Sequence, residues 1–130
     1  MLWAQPLIRH DLQIVLQPQA HHLQVTDTIT LPPQMGEFWS FFLHTGLQPR
    51  ALTPDVQLIR QEISPPTAAV PLAQYRVSLP AGTRTFVVQY AGEISHPPQQ
   101  HGAEYSRSMR YTPGTVAADG VYLSAVTYWY

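Results

Sequence analysis

Three features of the amino-acid sequence predict an all-β fold, an antiparallel β-sandwich of seven or more short strands with little helix. Thirteen prolines lie between Pro6 and Pro113, and an interior proline costs a helix about 3 kcal/mol. Between the prolines run short segments of period-two alternation, the mark of half-buried strands. Turn signals recur at the roughly 8–12-residue spacing of sandwiches and barrels. No βαβ rhythm and no repeat of fixed period accompanies them. A chain of 130 residues fits one domain and buries roughly two-thirds of its unfolded surface without a staple. The organisation expected is an N-terminal arm over residues 1–9 and a single sandwich domain over 10–130.

Taken in order, Leu12, Ile14 and Leu16 alternate with Asp11, Gln13 and Gln17 around Val15, and Pro18 ends the run. Leu23, Val25, Ile29 and Leu31 keep the same rhythm up to Pro32-Pro33, with Asp27 on their apolar parity. A carboxylate facing a core must be hydrogen-bonded or paired, and the expectation for Asp27 is a bulge or turn where it bonds backbone amides. Phe38 to Leu43 is apolar apart from Ser40, which suits a strand covered on both faces. Val56, Leu58 and Arg60 form a fourth candidate. Tyr75, Val77 and Leu79, then Pro80-Ala81-Gly82-Thr83, then Phe86, Val88 and Tyr90 read as a β-hairpin over Gln74–Tyr90, its four-residue connection being of hairpin length. Ile94–Gly114 is poor in apolar residues and reads as a long loop, of functional or mobile character. Gly120-Val121-Tyr122-Leu123-Ser124 and the tail Tyr128-Trp129-Tyr130 close the chain.

Charged residues make up 12% of the chain, about half the usual ~25%. There is no lysine; the seven basic residues are arginines, and thirteen glutamines supply polarity. With 45% hydrophobic and 11% aromatic residues, the chain has the apolar content that disordered segments lack. A net charge of −1, with only Arg107 and Arg110 close together, gives no electrostatic footprint for nucleic acid as a partner. No apolar run approaches the ~20 residues of a membrane helix, so no membrane span is expected. Absence of cysteine excludes disulfides, thiol catalysis and thiolate zinc sites. The start has no basic or apolar signal region, yet the small Ala4 before Gln5-Pro6 suits the tail of a cleaved export signal. The compartment stays open between an exported location, periplasmic or extracellular, which this start slightly favours, and an internal one.

Catalytic and metal patterns are mostly missing. His21 and His22 are adjacent, and adjacent strand side chains point to opposite faces. No His-Glu-x-x-His, no Gly-x-Ser-x-Gly and no phosphate-cradling glycine run is present. His96 and His101, with Glu104 nearby, fall in the long loop and read as incidental surface histidines. Glu93 and Glu104 flank that loop without anything that selects them as a carboxylate pair. Trp3, Trp39 and Trp129 are expected to pack in the core or at an interface rather than to line a sugar-stacking surface. The chain therefore carries neither catalytic nor metal-ligating residues in this reading.

The order of segments resembles the N-terminal domain of the aminopeptidase N family of zinc peptidases. His10-Asp11-Leu12-Gln13-Ile14 followed by Val25-Thr26-Asp27-Thr28-Ile29 is similar to that domain's opening "His-Tyr-Asp-Leu" and "Phe-x-Gly-x-Val-x-Ile" strands. Leu79-Pro80 and Tyr90-Ala91-Gly92-Glu93-Ile94 resemble its later "leucine-proline, tyrosine-x-glycine-x-isoleucine" portion. Gly120-Val121-Tyr122-Leu123-Ser124 resembles its "Gly-Leu-Tyr-x-Ser" segment, which approaches the substrate cleft. The acidic or glutamine residue that the family places shortly afterwards has no match among Ala125–Tyr130.

The resemblance implies a noncatalytic scaffold packed against a catalytic domain of the same polypeptide. No cofactor is held by this chain, and zinc is expected only in that missing domain. Tyr122, Ser124, Tyr128, Trp129 and Tyr130 are the candidates to face the cleft or the interdomain seam, because aromatic side chains bury large areas and keep a polar handle. A tail of Tyr-Trp-Tyr is unlike a frayed polar terminus, so Tyr130 is expected to be a boundary within a longer protein. The alternatives are a stand-alone sandwich that binds carbohydrate or a protein partner, and an enzyme whose site is assembled from scattered residues.

Overall fold

A computed structural model describes residues 7–35, 38–61, 70–96, 114–118, 120–124 and 127–130. The fold is all-β and antiparallel. Among the described residues nine strands run in chain order: β1 Arg9–Gln17, β2 His22–Thr30, β3 Phe38–His44, β4 Leu47–Ala51, β5 Gln57–Gln61, β6 Leu72–Ser78, β7 Thr85–Glu93, β8 Gly114–Ala117 and β9 Gly120–Leu123. Helical structure among the described residues is limited to the 3₁₀ turns Pro18–Ala20 and Pro33–Met35 and to Thr127, also 3₁₀. No helix there is long and apolar enough to cross a membrane.

The strands form a four-stranded sheet in the order β1-β2-β7-β4, a three-stranded sheet β3-β6-β5, and the small pair β8-β9. Alternation decides the layering. Leu23, Val25, Asp27 and Ile29 of β2 stand in register with Gly92, Tyr90, Val88 and Phe86 of β7 on one face. Trp39, Phe41 and Leu43 of β3 are matched with Val77, Tyr75 and Ala73 of β6. These two faces supply most of one apolar cluster, with Leu23, Val25, Val77 and Val88 fully buried. Each such aliphatic side chain contributes about 1.5–3 kcal/mol by leaving water. The opposite face of the larger sheet is polar: Arg50 and Thr26 both bond Gln89, and the Thr30 and Thr85 hydroxyls bond each other.

Three local expectations are corrected. The hairpin expected over Gln74–Tyr90 does not form, because β6 and β7 belong to different sheets. Pro80–Thr83 is still a tight turn, closed by the Thr83 amide donating to the Pro80 carbonyl at 3.0 Å, with Gly82 at φ 82° in the third position as a type II turn requires. It lifts the chain from one layer to the other. Tyr75, Val77, Phe86 and Val88 thereby all reach the same core from opposite sides. Period-two alternation is identical for a hairpin and for such an arch, which is why the pattern misled.

The second correction concerns Phe38–Leu43. It is an edge strand rather than one covered on both faces: Phe38 is exposed, and Arg76 lies over its ring, 4.1 Å from the centroid. The third concerns Asp27, which sits mid-strand in an unbroken ladder, with Leu12 and Val88 beside it. Two strands went unforeseen. β4 contains Pro49, which argues against a central strand, and it is indeed an edge. β8 begins at Gly114, where the long loop was expected to end, and Ser95 makes an isolated bridge to Thr115.

Candidate functional site

The side chains that stand out chemically gather where β1, β2, β7 and β3 meet the C-terminal residues. Inward parity on β1 sets His10 opposite Ile29, with Asp27 two residues along β2 on the same face. His10 Nδ1 donates to Asp27 Oδ2 at 2.6 Å, since a carboxylate only accepts. The Asp27 side chain is 2% exposed and that of His10 24%. The second carboxylate oxygen, Oδ1, is buried with no hydrogen-bond partner among the described residues, and so is the Tyr90 hydroxyl. Burial first, then the neighbouring Asp27 and Tyr130, push the Tyr90 phenol far above its usual range. It stays protonated at any physiological pH.

These groups line a cavity of about 120 Å³ together with Ile29, Trp39, Phe41, Leu43, Val88 and Tyr130. Ring packing frames it. The Trp39 and Phe41 centroids are 5.3 Å apart, His10 and Trp39 6.3 Å, and His10 and Tyr130 5.9 Å in an edge-to-face arrangement. The His10–Asp27 pair has the orientation of a catalytic dyad, but no hydroxyl is bonded to His10 among the described residues, so the third member of a hydrolytic triad is missing.

Of the five sequence candidates, Tyr128, Trp129 and Tyr130 stay close to the body of the sandwich. The Trp129 and Tyr130 rings lie 4.6 Å apart, and Trp129 packs on the core. Tyr128 meets Phe42 edge-on, takes a left-handed φ of 53°, and accepts the His44 amide on its carbonyl. That backbone conformation is unusual for a bulky residue and costs about 1–3 kcal/mol. Tyr122 lies on β9, exposed beside Val121. Ser124 is tied to the tail through its amide, which donates to Thr127 Oγ1 at 3.2 Å. Trp3, His101 and Glu104 lie outside the described residues. Sequence reasoning weighed Asp27 but missed His10 and Tyr90, whose only signal was their inward parity.

Histidines also fasten the C-terminal pair of strands. His21 Nδ1 donates to the Val116 carbonyl at 2.7 Å. His44 Nδ1 accepts the Gly46 amide, so its Nε2 carries the proton and donates to His96 Nε2 at 2.7 Å. Among the described residues no group of three or more His, Asp or Glu is placed to hold a metal ion.

Burial, and then the His96 imidazole, lower the His44 pKa below its ordinary 6.5. A proton on His44 Nδ1 would also oppose the Gly46 amide. The folded chain therefore takes up this proton less readily than the unfolded chain. Stability is full above about pH 6.5, falls as pH drops through that value, and levels off once the folded imidazole is itself protonated. The thermal midpoint should accordingly fall between about pH 7 and pH 5 by more in the native chain than in His44→Asn. Circular dichroism melts at both pH values check this, and equal falls would refute it.

In comparisons with known proteins, no family model, no curated protein and no solved structure matches this chain.

Proposed function

We propose that this chain is a noncatalytic scaffold, the N-terminal β-sandwich of a zinc-aminopeptidase-like protein, which packs against a catalytic domain of the same polypeptide. The observation that carries the reading is that β9 and the tail expose large apolar side chains, Val121 41%, Tyr122 38% and Tyr130 53%, as do Leu7, Val15 and Phe38 elsewhere on the surface. Exposed apolar surface of this kind suits an interdomain seam. Tyr122, Ser124, Tyr128, Trp129 and Tyr130 are its proposed contacts. The order of the family-like segments supports the same reading. Zinc belongs to the proposed neighbour, where it would polarise a peptide carbonyl and activate water.

The test is to read the coding sequence beyond Tyr130 and express the longer polypeptide. A His-Glu-x-x-His motif with a downstream glutamate is expected. Amides of residues 120–124 and 127–130 should exchange at least tenfold more slowly in the longer polypeptide than in the 130-residue chain. The 130-residue chain alone should release no product from an aminoacyl p-nitroanilide above blank. A stop codon directly after Tyr130, or unchanged exchange, overturns the proposal. The second reading, a stand-alone binding module for a carbohydrate or protein partner, draws on the cavity beside Asp27 and would gain from that stop codon.

A further inference from the structure

We propose that the cavity between the two sheets is a binding site for a primary alkylammonium group, held by Asp27 Oδ1 against a wall of aromatic rings. The inference goes beyond the scaffold reading and does not depend on it.

The cavity holds a buried carboxylate oxygen that no described residue satisfies. Whatever the charge on His10, its Nδ1–H is committed to Oδ2, which leaves Oδ1 an acceptor with no donor among the described residues. A buried acceptor left unpaired costs about 1–3 kcal/mol, and more when it is charged. A ligand that brings N–H donors removes that cost. The Tyr90 hydroxyl, also without a partner among the described residues, lines the same cavity and can accept from such a ligand as well as donate.

Charge points the same way. The chain contains no lysine, and none of the residues lining the cavity is an arginine. Arg9 is on the outward parity of β1, where it pairs with Asp11 at 3.1 Å. Trp39, Phe41 and Tyr130 meanwhile present π-systems, whose negative faces attract a cation by about 0.5–2 kcal/mol each.

Size limits the ligand. The volume of about 120 Å³ is near the ~150 Å³ of an engineered protein cavity that accepts benzene. A four- or five-carbon amine fills such a space with its ammonium at the carboxylate and its methylenes against the rings. Tyr130, half-exposed, stands at the mouth. Such a group exists both as a free amine and as the end of a lysine side chain on another protein.

Titration of the 130-residue chain with n-butylammonium chloride, followed by the Trp39 indole N–H resonance and by calorimetry, tests the site. Saturable binding is expected, with n-butanol at least tenfold weaker. Asp27→Asn should weaken butylammonium at least tenfold and Tyr130→Ala severalfold. Nα-acetyl-lysine amide separates the sources: its binding supports a partner's lysine side chain, and its failure beside bound butylammonium supports a free amine. Absence of saturable binding, or equal binding of butanol, overturns the proposal. If Asp27→Asn does not fold, wild-type affinity in Tyr130→Ala overturns it instead.

Discussion

Replacing His10 by leucine should destabilise the fold by about 3 kcal/mol, because it strands a buried carboxylate. Asp27 keeps its place in the β2 ladder whatever happens to its side chain, and its second oxygen already lacks a donor among the described residues. Losing the Nδ1–H leaves both oxygens unpaired in a space walled by Trp39, Phe41 and Val88. The partial exposure of His10 lets some water reach the site, which holds the loss to the low end of the range for broken buried pairs. A double variant, His10→Leu with Asp27→Leu, should recover most of the loss, since well-packed apolar replacements of a buried pair are often neutral or stabilising. Urea unfolding of the two single variants and the double variant measures the cycle. A loss under about 1 kcal/mol in His10→Leu would show that the pair is solvated rather than buried.

An alanine at Gly92 should cost about 3 kcal/mol, at the upper end for overpacking. Gly92 lies in β7 directly opposite Leu47, and a Cβ there would overlap the carbonyl oxygen of Gly46. Backbone, not a flexible side chain, blocks the space, so the β3–β4 connection has to shift bodily. A Cβ on Gly46 would collide in turn with the carbonyl oxygen of Glu93. The shift should also disturb the contact between the Gly46 amide and His44. Gly92→Ala is thus expected to lower the urea midpoint and to shift the His44 ring resonances together. A stable variant with unmoved His44 signals would refute the close approach.

Strand identity was legible wherever alternation ran for four residues or more, as in Leu23–Leu31 and Tyr75–Tyr90. Partnering was not legible. The side chains of β6 and β7 alternate in the way a hairpin would, and only the competition between β2, β4 and β3, β5 for their edges decides that they separate. The candidate site was half legible for the same reason. The inward parity of Asp27 marked it as in need of a partner, but His10 is seventeen residues away, and a period-two pattern carries no information about which distant strand supplies the neighbour. β4 was not legible at all, and Pro49 within it is tolerated because the strand is an edge, where a missing amide proton is harmless and discourages pairing with another molecule.

The turn at Pro80–Thr83 also governs how fast the chain acquires its structure. Because it delivers consecutive strands to opposite layers, β7 must find β2, more than fifty residues back along the chain, and β4, nearly forty back. Loop-closure entropy is then lost before those contacts form, and folding belongs with the millisecond-to-second class of β proteins rather than with local zippers. The β1–β2 ribbon, joined across Pro18–His21, is the one long pairing within the larger sheet that can assemble early. It is the natural template on which β7 nucleates.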